Sequence, residues 1–213
     1  MDSSITSDQS AQPVLAIANN PHGHENHGSE EHDHAGNSMF GFIVFLLSES
    51  VIFLSFFAGY AMIKLTTPDW LPPGVEGLDV NAPTINTIVL VSSSFVIYFA
   101  ERALKQNKLI QFRLLWLLTM GMGTYFLVGQ AIEWSELQFG LTSGVYGGLF
   151  YLLTGFHGLH VLIGILLQGV MLGRSLIPNN YAGGHVGVDE TSLFWHFVDV
   201  IWIVLFCLIY LWQ

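Results

Sequence analysis

Five long apolar runs punctuate an otherwise polar chain, over about residues 39–63, 84–103, 112–134, 145–172 and 193–212. Each reaches the ~20 residues that an α-helix needs to cross bilayer hydrocarbon at ~1.5 Å per residue. Backbone in lipid finds no water to bond, so an apolar run of this length predicts a spanning helix. The second and third runs carry Ser, Thr and Gly among their apolar positions, which suits close helix–helix contact. The connection over residues 66–83 holds four prolines and two glycines and predicts an ordered loop, not a linker. No repeat and no second domain is evident. The predicted fold class is all-α: a polytopic membrane bundle of five transmembrane helices within residues 39–213.

Residues 1–38 break this pattern. Their short apolar stretch at 14–18 lacks the basic region and long core of a cleavable signal peptide, and none is predicted. His22, His24, His27, His32 and His34 alternate with Glu25, Glu30, Glu31 and Asp33. The composition predicts a disordered, acidic, His-rich tail. Weak, promiscuous metal chelation is the sharper reading, on a spacing that matches no fixed ligand set.

Composition supports the membrane class: 52% of the 213 residues are hydrophobic in type and 10% are charged. A formal net charge of -10 argues against a nucleic-acid partner. The single cysteine, Cys207, excludes a disulfide within the chain and reads as filler facing core or lipid. Basic residues set the orientation. Arg102, Lys105, Lys108 and Arg113 bracket the second-to-third loop and Arg174 follows the fourth run, whereas Lys64 is alone on the other side. The positive-inside rule then puts the N-terminus in the cytoplasm and the C-terminus outside.

A few polar groups interrupt the runs. Glu49 lies ~15 Å along the first helix, near the bilayer midplane. A charge there costs roughly 2.5–3.5 kcal/mol on insertion scales. It is either a proton-relevant or lipid-contacting acid, or a protonated side chain bonded to a neighbouring helix. His157 and His160 share one face of the fourth helix, with Gly155, Gly158 and Gly164 nearby. They offer either two ligands to a metal or haem, which is few for a closed site, or hydrogen bonds between closely packed helices. His196 and Asp199 share a face of the last helix, beside Trp195 and Trp202. They form either a proton relay or a pair that only satisfies itself. Glu101 with Arg102, and Glu133 with Trp134, read as interfacial helix ends. The sequence has no phosphate-binding glycine loop, CxxC or nucleophile motif.

Longer motifs carry a family resemblance. GVYGGLFYLLTGFHGLHVLIG (144–164) and SLFWHFVDVIWIVLFCLIYLW (192–212) resemble the two signature helices of subunit III of haem–copper respiratory oxidases. LLSESVIFLSFFAGY (46–60) is similar to that family's helix with a buried acid, and Glu49 falls on the acid. PTINTIVLVSSS (83–94) and GQAIEWSEL (129–137) match the intervening segments, so the resemblance covers about residues 39–213. It implies a non-catalytic subunit beside subunits I and II, which would hold the haem a and copper; this chain would have no catalytic residue, metal or cofactor of its own. The complex would reduce dioxygen and translocate protons. Subunit III would stabilise subunit I, bind phospholipid in a cleft and aid proton uptake. By motif matching Glu49 is the proton-related acid near that cleft. Arg174, at the family's spacing from His160, would contact a lipid phosphate, as would His196. His157, His160 and Asp199 would be structural. Longer family members have seven helices, and this chain begins at their third.

The leading expectation is an aa3-type cytochrome c oxidase, taking electrons from cytochrome c or a similar soluble donor, in a bacterial plasma membrane or an internal thylakoid-type membrane. Glu49 and the FWHFVDV run favour it over the subunit III of a quinol oxidase. Two readings from other classes are a small proton-coupled transporter using Glu49 and His157, and a haem-binding electron carrier using His157 and His160.

Overall fold

The computed structural model describes residues 27–68, 78–177, 181 and 184–212, with side chains from Asn37 onward. Five helices follow one another: α1 (His27–Thr66), α2 (Asn81–Lys105), α3 (Leu109–Glu136), α4 (Gly144–Ser175) and α5 (Val186–Phe206). α5 continues into one π-helical turn, Cys207–Leu211. All five are long and apolar enough to cross a membrane, and there is no strand among the described residues.

Helices α1 to α4 outrun their apolar runs at both ends and α5 at its start, because backbone hydrogen bonding continues past the point where side chains become polar. α1 begins at His27, inside the stretch expected to be a disordered tail. α5 begins at Val186, with Asp189 in its first turn, where a carboxylate favours the helix N-terminus. The chelation reading of the tail and most of the proline-rich loop lie outside the described residues. Between α2 and α3 the chain reverses within three residues. Asn107 takes φ 59°, a conformation that asparagine tolerates, and Lys108 N–H then bonds the Ala103 carbonyl.

The helices α2, α3, α4 and α5 close a ring, each packed on the next, and α5 closes it by packing on α2. α1 stands outside, mainly against α5. The burial follows: 56% of the apolar window of α5 is inside the chain, against 17% for α1.

Lipid tails are as apolar as leucine, so side-chain fit and hydrogen bonds, not hydrophobicity, must join these helices. The Trp195 indole is where the fit is tightest. It is fully buried between α3 and α4, in a slot that two glycines leave open. A Cβ on Gly164 would lie 2.8 Å from its ring, and one on Gly123 2.5 Å. Gly155 and Gly158, also expected to mark close approach, leave at least 3.4 Å, an ordinary contact.

Hydrogen bonds then set the register of α5 on α2. Trp195 N–H donates to Ser93 Oγ at 2.8 Å, and Trp202 N–H to Thr87 Oγ1 at 2.9 Å. Indole N–H groups buried in a bundle need acceptors, and the small hydroxyls of α2 supply them. At one end of the bundle Lys105 pairs with Asp189 at 3.0 Å, Ser38 donates to Glu190 at 2.7 Å, and Arg113 donates to the Ser175 carbonyl and hydroxyl. That end also carries Arg102, Lys108 and Arg174.

Candidate functional site

The polar residues inside the spans fall into three clusters. The first joins two side chains that are 111 residues apart in sequence. Glu49 of α1 meets His160 of α4, with Oε2 at 3.2 Å from Nε2, and both side chains are largely buried. Three rings box the imidazole: Phe53 and Phe156 edge-on, at 5.1 and 4.7 Å between centroids, and Phe194 stacked at 6.2 Å. The other ring nitrogen, Nδ1, is 2.8 Å from the Phe156 carbonyl. A carbonyl only accepts, so Nδ1 carries a hydrogen and donates it. In a neutral ring Nε2 is then an acceptor, and its contact with Glu49 holds one proton. Either the acid carries that proton and the pair is neutral, or the imidazole carries it and the pair is ionic.

His157, one turn away, is fully buried and turned elsewhere. Its ring stacks on Trp202 at 4.8 Å and meets the edge of Phe126 at 5.7 Å. Neither ring nitrogen has a hydrogen-bond partner, contrary to the bonds expected of it. The two histidines therefore do not offer one open pair of ligand nitrogens: His160 has both engaged, and His157 is enclosed by rings. Among the described residues no group of three His, Cys, Asp or Glu could hold a metal ion. The donor set does not fit a metal or a haem.

In the second cluster the expected direct contact of His196 with Asp199 is replaced by a bridge. Ser94 of α2 donates its hydroxyl to Asp199 Oδ2, and Oγ lies 3.0 Å from His196 Nδ1. The serine proton is committed to the carboxylate, so His196 Nδ1–H donates to the serine oxygen. That leaves His196 Nε2 as an acceptor in the neutral ring. An acceptor repels a phosphate oxygen, so a lipid contact by His196 requires the doubly protonated ring. Asp199 Oδ1 is buried without a partner. Nothing in the sequence marks Ser94 for this role beyond its place in the VSSS run of a helix suited to close contact.

The third cluster lies at the end of α3, where an interfacial end is expected, and forms a partly buried network. Glu133 accepts from Tyr210 at 2.7 Å and from Gln130 at 3.0 Å. Tyr210 belongs to the π-helical turn, whose wider spacing helps bring Ile209 and Tyr210 to the buried side. Cys207 in the same turn is exposed, so of its two readings the surface one holds. A tyrosine late in an apolar helix was the available signal, since its hydroxyl needs a partner once buried.

Arg174 is not part of the Glu49 site. It ends α4 about 21 Å along the axis from His160 at the usual helical rise. Its side chain is exposed, lying against the start of α5, where a Cβ on Gly187 would come 3.6 Å from Nη1.

These features define a class: a polytopic helical membrane protein in which Glu49, Asp199 and Glu133 are each paired with a side chain of another helix. Comparison with known proteins narrows it. The sequence model of the cytochrome c oxidase subunit III family matches residues 24–213. The cytochrome c oxidase subunit 3 of Synechocystis sp. is 44% identical over 188 residues, covering 88% of this chain and 80% of the relative. That of Thermostichus vulcanus is 44% identical over 181 residues, covering 84% and 90%. That of Pongo abelii is 38% identical over 179 residues, covering 81% and 69%. The chain belongs to the cytochrome c oxidase subunit III family. It is an integral membrane subunit of an oxidoreductase complex and associates with the other oxidase subunits.

Proposed function

We propose that this chain is the non-catalytic subunit III of an aa3-type cytochrome c oxidase. In this reading subunits I and II hold the haem a and copper, and a soluble cytochrome c supplies the electrons. The chain stabilises subunit I, binds phospholipid and aids proton uptake during dioxygen reduction. The complex lies in a bacterial plasma membrane or an internal, thylakoid-type membrane, with the basic end of the bundle facing the cytoplasm.

The observation that carries the proton role is the Glu49–His160 contact. Glu49 Oε2 and His160 Nε2 lie 3.2 Å apart, while Nδ1 is held on the Phe156 carbonyl. Such a pair changes its charge distribution without moving a heavy atom. Its Glu49 partner is on α1, the outermost and least enclosed helix of the chain, where a change of charge reaches a neighbouring subunit or lipid most directly.

Gentle affinity purification of this chain, followed by a reduced-minus-oxidised visible spectrum and mass spectrometry, tests the assignment. The expected result is haem a and two larger subunits, one with a cysteine pair for binuclear copper. A subunit II lacking that pair would move the donor to quinol. A colourless chain that purifies alone would overturn the proposal and call for a transport assay in liposomes.

A further inference from the structure

The end of the bundle away from the basic loops is crowded with oxidisable rings. Trp202 and Tyr210 of α5 are both buried, with ring centroids 6.4 Å apart. Phe150 lies 6.4 Å from Tyr210 and 5.5 Å from Tyr151, and Tyr151 lies 5.2 Å from Trp134. Trp134 and Tyr151 are only half-buried. Packed rings therefore run from the interior of the four-helix ring to its surface.

The hydrogen bond at Tyr210 sets it apart from a ring that only packs. Its hydroxyl donates to Glu133 Oε1 at 2.7 Å, and Gln130 donates to Oε2 at 3.0 Å. Both oxygens accept, which is the pattern of an ionised carboxylate. A phenol resists oxidation while it keeps its proton, because the radical cation left behind is a strong acid. A carboxylate on the O–H removes that obstacle: the proton crosses one hydrogen bond as the electron leaves. Tyr151 and Tyr181 donate to backbone carbonyls instead, which hold a proton poorly.

We propose that Tyr210 is a redox-active side chain with Glu133 as its proton acceptor. A high-potential one-electron oxidant takes an electron from the ring, by way of Trp202 or of Tyr151, and the O–H proton passes to Glu133 Oε1. The products are a neutral tyrosyl radical, a neutral Glu133 acid and the oxidant reduced by one electron. A soluble one-electron reductant then restores the phenol, and Glu133 returns the proton. In a subunit of an oxidoreductase complex, such a site holds a stray oxidising equivalent inside the bundle and away from lipid chains. It rests neither on the donor assignment nor on the proton role proposed for Glu49.

The test uses the full chain in nanodiscs, with photogenerated ruthenium(III) tris-bipyridyl as the oxidant. Samples frozen after the flash are read by electron paramagnetic resonance. Ascorbate in the aqueous phase quenches radicals on exposed rings such as Tyr125. The wild type gives a tyrosyl signal that outlasts the exposed ones. Fluorine labelling of the Tyr210 ring, which keeps its shape and hydroxyl, adds fluorine splitting to that signal. Tyr210→Phe and Glu133→Gln lose the signal, whereas Tyr125→Phe keeps it. Transient absorption of the wild type shows slower radical formation in deuterium oxide, since a proton moves with the electron. A lasting signal without fluorine splitting, an equal signal in Glu133→Gln, a rate unchanged in deuterium oxide, or no lasting signal in the wild type overturns the proposal.

Discussion

The slot around Trp195 gives the sharpest quantitative prediction. Gly164→Ala puts a methyl group 2.8 and 2.9 Å from two ring carbons of Trp195 and 3.4 Å from Phe194. Carbon atoms settle at ~3.5–4.0 Å, so the indole must withdraw by about 0.7 Å. It has nowhere to go. On the α3 side the ring already fills the space that Gly123 leaves, and its N–H is held by Ser93 at 2.8 Å. Overpacking of this kind costs about 1–3 kcal/mol. Weakening an interhelical hydrogen bond adds about 0.6 kcal/mol, and the better helix propensity of alanine returns up to about 1 kcal/mol. The net expectation is a loss of about 1–2 kcal/mol. Gly121→Ala is the control. Nothing lies within 4 Å of its Cβ, so only the propensity gain remains. The assay is unfolding of the full chain in mixed micelles of rising dodecyl sulfate fraction, followed by tryptophan fluorescence and circular dichroism. The midpoint falls for Gly164→Ala and holds or rises for Gly121→Ala. Trp195→Phe removes part of the ring that the new methyl meets, so the double variant loses less than the sum of the two singles. Equal midpoints for the two alanine variants would refute the slot.

Three further outcomes follow from the polar clusters. Ser94→Ala removes both bonds that tie His196 and Asp199 to α2, and should cost about 0.6–1.7 kcal/mol in the same unfolding assay; an unchanged midpoint would mean that the bridge does not hold the helices. Glu49→Gln keeps the contact with His160 but removes the shared proton. Haem content and subunit composition of the purified complex should be unchanged, while proton uptake, read with a pH dye in stopped flow, or lifetime during turnover declines. No change in either would make the contact purely structural. Arg174→Ala should reduce co-purified phospholipid, because a guanidinium holds a phosphate through paired charged hydrogen bonds; identical lipid content would remove that assignment.

Glu49 and His160 show the limits of reading positions singly. Each stood out in the sequence as a polar group deep in an apolar run, where its cost demanded a partner. That they are each other's partner was not visible. The same holds for Ser94, one of three consecutive serines, whose role depends on the rotation of α2 about its axis. His157 gives the opposite lesson. Its chemistry suggested hydrogen bonds or ligation, and packing against Trp202 and Phe126 left its nitrogens with neither. Glu133 does lie at the end of α3, and what the apolar run leaves out is the Tyr210 hydroxyl that the π-helical turn of α5 brings onto it.

What the sequence determined by itself was the five spanning helices, their places along the chain and the family. The first two follow from local physics: a backbone in lipid must satisfy itself, so length and polarity alone decide what spans. The family follows from long motifs that need no coordinates to read. The tertiary structure decided which faces meet. It placed α5 between α2 and α4 in a four-helix ring, left α1 outside against α5, and chose the partners of Glu49, Asp199 and Glu133. Those choices turn on helix rotation and on ångström-scale fit at glycines and hydroxyls, between residues a hundred positions apart. Hydrophobic periodicity carries no such information, because in a membrane the faces that meet protein and the faces that meet lipid are almost equally apolar.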